Sequence, residues 1–304
     1  MIRPPALRPG TRVALVAAAG PLPEGGVDRA ADRVASLGWE PVAGEFCRCR
    51  TGYLAGTDAE RAADLNRALR DPSIGAVWFL RGGYGTMRIL DALDWDALVR
   101  HPKALIGYSD NTAVHLAAHR AGVVGFHGPH PHAPEFPDFA RDELLRVLTV
   151  PEPAGVLPFP ADGGRAETIT AGVAEGPLLG GNLSLLSATL GTPFAIRPEG
   201  AILFIEEVGE HPYRLDRLLS HLRLAGVLSA VAGIAVGGIT ESPEIDGAPG
   251  AAEVVRDALG GLGIPVATGF PFGHFDDNWT LPMGVRARLD ADAGTLALLE
   301  PAVA

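Results

Sequence analysis

The sequence predicts an α/β protein whose first half folds as a doubly wound parallel sheet. Two observations carry that expectation. Residues 12–20 and 74–80 are continuous apolar runs, as strands covered on both faces require. Stretches with apolar residues at helical spacing lie between such runs, and strands alternating with helices imply parallel strands joined by crossovers.

The elements follow in order. The strand at 12–20 is succeeded by a helix over 25–37, with Val27, Ala30, Ala31, Val34 and Leu37 on one face and Gly38 at its end. Residues 41–46 form a second strand. Thr57-Asp-Ala-Glu60 has the capping-box pattern and starts a helix that runs to about Arg70. The strand at 74–80 leads at once into Arg81-Gly-Gly-Tyr-Gly85, and short helices follow over 87–93 and 95–99. Ala104, Leu105 and Ile106, bounded by Gly107, make a fourth strand. A helix with Val114, Leu116, Ala117 and Ala118 runs from Asn111 to near Gly122, and residues 123–126 are a fifth strand.

Residues 127–139 are a proline- and histidine-rich loop carrying His127, His130, His132, Glu135 and Asp138; none of its spacings matches a familiar metal-ligand pair. A helix over 141–148 follows. Residues 151–164, rich in Pro and Gly, read as an exposed crossing between domains. The second half shows strand-like pieces over 172–180 and a helix over 181–191. The strand at 201–205 runs directly into Glu206-Glu-Val-Gly-Glu210. Leu215, Leu218, Leu219 and Leu222 have helical spacing within 213–224; strand follows over 230–239, helix over 251–259 and strand over 266–270. Residues 279–289 and 295–299 are expected to close the chain as a hairpin across 290–294. The expected domains are 1–150 and 171–304, with a linker over 151–170.

At 304 residues the chain is long enough for two separate cores. Its net charge of −11, from 25 basic and 36 acidic residues, argues against non-specific nucleic-acid binding. No run of 18 apolar residues indicates a membrane span. Cys47 and Cys49 are too close to staple a fold, and the early apolar segment reads as a first strand rather than a signal peptide. A reduced, cytoplasmic protein is expected.

Ser109 lies where the fourth strand ends and a helix begins. That sharp turn is the geometry of a nucleophile elbow, which pushes the hydroxyl clear of the backbone. Capping of the helix by Ser109 or Asp110 is the alternative, and position 111 is Asn where the usual elbow has Gly. Three further features bear on the choice. Glu206 ends a buried strand; His274 follows a strand and a glycine; and the Arg81–Gly85 stretch offers three glycines whose amides can approach a reacting oxygen. Each has a plain structural alternative in a salt bridge, a surface loop or a tight turn. Spacing alone does not choose, since triad members assemble from distant segments.

The pieces Arg81-Gly-Gly-Tyr-Gly85, Ile106-Gly-Tyr-Ser-Asp-Asn111, Gly180-Gly-Asn-Leu183, Leu203-Phe-Ile-Glu-Glu-Val-Gly-Glu210 with Tyr213-Arg-Leu-Asp-Arg217, and Gly273-His274 with Pro282-Met-Gly284 occur in this order over almost the whole chain. Together they resemble the LD-carboxypeptidase (muramoyltetrapeptide carboxypeptidase) family of serine peptidases, which includes the microcin C immunity proteins. The resemblance implies a flavodoxin-like N-terminal domain bearing the serine and a smaller β-rich C-terminal α/β domain bearing a glutamate and a histidine. It implies Ser109 as nucleophile, His274 as general base and acid, and Glu206 as the orienting acid. The implied oxyanion donors are the backbone N–H groups of Gly83 and Asp110, and the implied substrate-binding candidates are Arg81, Tyr84 and Arg214. Glu207 stands where many members have Asp.

The same resemblance implies hydrolysis of the amide between an L-centre of a diamino acid and a terminal D-alanine during cytoplasmic murein recycling. The partner is then a small peptide, with no metal, cofactor, nucleic acid or membrane, and the assembly a homodimer. Two rivals stand beside this reading. One is an immunity-type hydrolase of a peptidyl–nucleotide antibiotic, although residues 151–164 offer only Phe159 for stacking a base. The other is a non-catalytic two-lobed binding protein. Strand alternation adds one geometric expectation: Glu206 and Glu207 point to opposite faces, so only one reaches His274.

Overall fold

The computed structural model describes residues 1–304. It divides into two compact units, one of Met1–Glu152, Thr280–Gly284 and Pro301–Ala304, the other of Pro153–Trp279 and Val285–Glu300.

In the first unit the strands are β1 (Arg12–Val16), β2 (Glu40–Ala43), β3 (Ile74–Phe79), β4 (Ala104–Gly107) and β5 (Gly125–His127). The helices are α1 (Gly26–Ser36), α2 (Asp58–Arg70), α3 (Trp95–Arg100), α4 (Thr112–Arg120) and α5 (Asp138–Thr149). The strands pair in parallel in the order β2-β1-β3-β4-β5, the flavodoxin-like order, whose switch point lies between β1 and β3. Leu15, Val77, Trp78, Phe79, Leu105 and Ile106 are fully buried, which is why these strands read as unbroken apolar runs. The Thr57 capping box is present in full, each partner satisfying an amide that the first turn of α2 leaves open. The stretch at 87–93 forms two single 3₁₀ turns, Thr86–Arg88 and Leu90–Ala92.

The second unit holds β6 (Gly155–Val156), β7 (Glu167–Thr170), β8 (Val173–Asn182), α6 (Leu183–Ala188), β9 (Ile202–Val208), α7 (Pro212–Leu224), α8 (Val227–Ala230), β10 (Gly233–Thr240), α9 (Ala251–Gly260) and β11 (Val266–Thr268). After β12 (Leu281–Met283), which belongs to the first unit, come β13 (Arg286–Asp290) and β14 (Thr295–Leu298). The eight-stranded sheet runs β6-β14-β13-β8-β9-β10-β11-β7. Its centre, β8 to β11, is parallel, and the strands flanking it are antiparallel.

Two expectations change here. Most of the stretch read as a linker, 151–170, lies in the second unit, where β6 pairs with β14 and β7 with β11 as the two edges of the sheet. A Pro- and Gly-rich segment is tolerated at an edge because an edge strand needs only one row of hydrogen bonds. The strand expected over 279–289 is two strands in different sheets. Leu281–Met283 pairs antiparallel with β5, while Arg286–Asp290 pairs with β8 and β14. Pro282 lacks an amide proton and so fits the edge position that β12 occupies. Gly284, at φ 88°, turns the chain away before β13 begins.

Candidate active site

Ser109 follows β4 after the extended residue Tyr108 and has φ 61°, one of only two non-glycine residues with positive φ. A side chain in that region is strained by roughly 1–3 kcal/mol, and such strain concentrates where function needs a side chain presented. A 3₁₀ turn, Ser109–Asn111, then passes into α4. The cap positions of this turn and of α4 fall on Tyr108 and Asn111, not on Ser109, and the positive φ of Ser109 is that of an elbow rather than of an N-cap.

The loop after β3 closes on this elbow. Gly82 faces it: a Cβ on that residue would stand 2.8 Å from Ser109 Cβ, 2.9 Å from its Oγ and 3.4 Å from the Asp110 nitrogen. Gly83 packs on the other side, against Gly20, and the Gly20 amide donates to the Gly82 carbonyl at 2.9 Å. The Asp110 carboxylate is buried and accepts from the Thr86 amide at 2.8 Å, while Thr86 Oγ1 donates to the Asp110 carbonyl at 2.6 Å. Burial raises the Asp110 carboxyl above its ordinary range, against the lowering effect of the Thr86 bonds.

Two buried groups brace this arrangement, and no motif announced either. Arg61, 1% exposed, donates from Nη1 to the Ala18 carbonyl and to the Gly85 carbonyl at 2.8 Å. It thereby joins the loop after β1 to the loop after β3. The sequence does hold a signal, because Arg61 shares the buried face of α2 with Ala62, Leu65, Ala68 and Leu69. His115, fully buried in α4, donates its Nε2 proton to the Gly107 carbonyl at 2.7 Å, two residues before Ser109. Burial pushes the His115 imidazole down to about 4, so it is neutral near pH 7.

In the second unit, β9 carries buried residues up to Glu207. Glu206 is fully buried, and His274 Nδ1 donates to its Oε2 at 2.7 Å. Burial pushes the Glu206 carboxyl up, and the histidine opposes that shift. Glu207 turns to the other face. Its Oε1 accepts from Asn182 Nδ2 at 2.9 Å and its Oε2 from the Ser184 amide at 2.8 Å, so it satisfies the start of α6. The alternation of the strand thus selects Glu206 for the imidazole.

The turn that holds His274 is fixed by Gly273 and Asn278. A Cβ on Gly273 would stand 2.9 Å from Glu206 Cβ, and the residue has φ 121°. Asn278, 1% exposed, accepts from the Gly273 amide at 3.2 Å and donates to its carbonyl at 2.9 Å. No motif in the sequence marks Asn278.

The three substrate-binding candidates have local partners. Arg81 Nη1 donates to the Pro21 carbonyl at 2.6 Å. Tyr84 is half-exposed and its ring lies 5.7 Å from that of Tyr53. Arg214 Nε donates to Tyr213 Oη at 3.2 Å, and its Nη1 lies 3.7 Å from Glu210. His127 ends β5, and His130 Nδ1 lies 3.0 Å from the Phe79 carbonyl. No three His, Cys, Asp or Glu side chains converge as metal ligands. No helix is long and apolar enough to cross a membrane.

Known proteins resemble this chain along nearly its whole length. Residues 13–128 match the LD-carboxypeptidase N-terminal domain and residues 175–289 its C-terminal domain. The Bacillus subtilis (strain 168) protein named "Probable murein peptide carboxypeptidase" is 35% identical over 322 residues, covering 99% of this chain and 95% of that one. The crystal structure of muramoyltetrapeptide carboxypeptidase from Oxalobacter formigenes aligns with a TM-score of 0.83 at 32% identity, over 95% of this chain and 98% of that one. The microcin C7 self-immunity protein MccF, solved in complex with aspartyl sulfamoyl adenosine, aligns with a TM-score of 0.91 at 26% identity over the whole of both chains. With both family domains matched in order and a relative of this identity along nearly its full length, the chain belongs to the LD-carboxypeptidase family of serine-type peptidases.

Proposed function

We propose that this protein releases the terminal D-alanine of murein tetrapeptides by hydrolysing the amide that follows the diamino acid. In this reading Ser109 Oγ attacks the carbonyl carbon, and His274 Nε2 takes the hydroxyl proton. The tautomer follows from the bond to Glu206: with the proton of Nδ1 engaged there, the lone pair sits on Nε2. The Glu206 carboxylate holds the ring and stabilises the imidazolium that forms. Backbone N–H groups of Asp110 and Gly83 receive the oxyanion. The imidazolium then protonates the leaving amine of D-alanine, and water repeats the sequence on the acyl-enzyme.

The observation that supports this most directly is the Ser109 backbone, a strained elbow that a plain helix cap does not require. The named activities of the relatives supply the substrate class. The setting proposed is the cytoplasm, in cell-wall recycling, with the protein acting as a homodimer. Incubating the protein with murein tetrapeptide, pentapeptide and a peptidyl–nucleotide, and reading products by mass, tests the proposal. Loss of D-alanine from the tetrapeptide alone, abolished in Ser109→Ala, is the expected result. Preferential cleavage of the peptidyl–nucleotide would replace the substrate while keeping the chemistry. Full activity of Ser109→Ala would sink the mechanism, and light scattering of the purified protein reads the assembly.

A further inference from the structure

The loop after β3 carries Gly83, one of the two proposed oxyanion donors, yet its own backbone does little to aim that amide. Gly83 and Gly85 have φ 102° and 136°, a region that glycine enters and leaves at little cost. The orientation of these peptide units must therefore be set by what grips them. Two of them are held at the carbonyl. The Gly20 amide donates to the Gly82 carbonyl at 2.9 Å, and Arg61 Nη1 donates to the Gly85 carbonyl at 2.8 Å.

The first grip sets the Gly83 amide. A trans peptide is planar, so its C=O and N–H point in opposite directions. With the Gly82 carbonyl turned to Gly20, the Gly83 N–H is turned away from Gly20, and it donates to no main-chain carbonyl. Gly82 itself abuts Ser109 and the Asp110 nitrogen, so this amide lies beside the elbow.

The second grip keeps Gly20 in place. Arg61 Nη1 also donates to the Ala18 carbonyl, two residues before Gly20, so one buried nitrogen ties the loop after β1 to the loop after β3. Its Nη2 donates to Asp58. That carboxylate also accepts from Arg88 Nη2 at 2.7 Å, on the 3₁₀ turn that follows Gly85. A Cβ on Gly85 would stand 2.7 Å from Arg61 Nη1, so the position admits glycine alone. Packing by itself would favour an apolar residue at position 61, since burying a charge costs desolvation. We infer that Arg61 is a positioning residue for the reaction: by tying Ala18 to Gly85 it keeps Gly20 on the Gly82 carbonyl and so aims the Gly83 N–H at the oxyanion. The inference rests on attack by Ser109, as proposed above.

The second-order rate at which a fluorophosphonate labels Ser109 reports this aim independently of substrate, because the phosphoryl oxygen takes the oxyanion position. Arg61→Met should slow labelling and lower tetrapeptide kcat by roughly 10²-fold, near the loss of one oxyanion donor, while KM stays within about twofold. Arg61→Lys keeps the charge and can hold one carbonyl, so it should recover part of both rates. Should Arg61→Met fail to fold, Gly20→Ala decides. It removes no charge and no donor but sets a methyl 3.0 Å from the Gly82 oxygen. A displacement of a few tenths of an ångström there should slow labelling by about tenfold. A merely structural role predicts instead that labelling follows the folded fraction, which a thermal melt of each variant measures. Folded Arg61→Met or Gly20→Ala labelled at the unsubstituted rate, or a rise in KM with kcat intact, would overturn the inference. An unsubstituted protein that the probe leaves unlabelled at Ser109 would remove the catalytic reading, and this assignment with it.

Discussion

Glu206 and Glu207 are adjacent in β9 and serve different masters: Glu206 receives His274 Nδ1, and Glu207 receives Asn182 and the amide of Ser184. The division follows from the two-residue period of a strand, which gives the two adjacent carboxylates different partners.

Substituting each in turn should expose that division. Glu206→Gln keeps the shape but removes the charge and can present the wrong group to the imidazole. It should lower kcat by roughly 10²–10⁴-fold with little change in KM. Glu207→Gln should stay within about tenfold in kcat yet lose roughly 1–3 kcal/mol of stability, because its carboxylate satisfies buried donors. Tetrapeptide kinetics and urea melts on both variants read the two effects; the reverse ranking in kcat would place the orienting acid at 207.

Gly82→Ala should damage the elbow without removing any proposed reacting group. The new methyl would arrive 2.8 Å from Ser109 Cβ, which is backbone-anchored and cannot swing aside. Overpacking of this kind costs about 1–3 kcal/mol. The larger effect should be on rate, since displacing a nucleophile by about 1 Å can cost on the order of 10²-fold. Labelling by a fluorophosphonate probe measures it without a peptide; labelling at the unsubstituted rate would mean that the loop yields and Ser109 does not move.

Acid should loosen the elbow from behind. His115 has an ordinary imidazole value near 6.5 when unfolded and about 4 in the folded protein. Between those values the unfolded chain binds the extra proton, so stability is fully present above about pH 6.5 and falls as pH drops towards 4. A shift of this size corresponds to roughly 3 kcal/mol over the whole window. His115→Gln retains an N–H for the Gly107 carbonyl and does not titrate. The gap in unfolding free energy between the two proteins should therefore move in favour of the glutamine variant as pH is lowered from 7 to 4.5. A gap independent of pH would show that His115 titrates alike in both states.

Asn278→Ala should act on His274 through the turn. It leaves the Gly273 amide and carbonyl buried without their partner, at about 1–3 kcal/mol. With the turn relaxed, kcat should fall by roughly tenfold to a hundredfold while KM changes little. Asn278→Asp, which can still accept from the Gly273 amide, should recover part of the loss in kcat. A kcat unchanged in the alanine variant would remove Asn278 from any positioning role.

Much of the first unit was legible because its strands are buried on both faces. Runs such as 74–80 have no polar interruption to confuse strand with loop, and the strand–helix alternation fixes the parallel pairing. Ser109, Glu206 and His274 were legible as candidates because each sits at the end of an apolar run. Arg61, His115 and Asn278 were not. Apart from the Asp58 carboxylate beside Arg61, the partners described for them are main-chain carbonyls and amides, and main-chain groups leave no trace in residue identity. The extent of strand 279–289 was misjudged for a related reason. Period-two alternation marks a strand but not which sheet it joins, and here the assignment changes within a few residues.

The two strands on either side of Gly284 bear on how the chain is made. Early residues supply β1 to β5 of the first unit, but the neighbour of β5 is Leu281–Met283, made only after nearly all of the second unit. The last residues return as well, with the Ala6 amide donating to the Ala304 carbonyl and the Ala304 amide to Pro4. A ribosome-bound fragment ending near residue 152 therefore presents an unpaired β5 edge, a template for pairing with another chain. Completion of the first unit waits until Leu281–Met283 has been made, and a chain truncated before Leu281 should be trapped with that edge open.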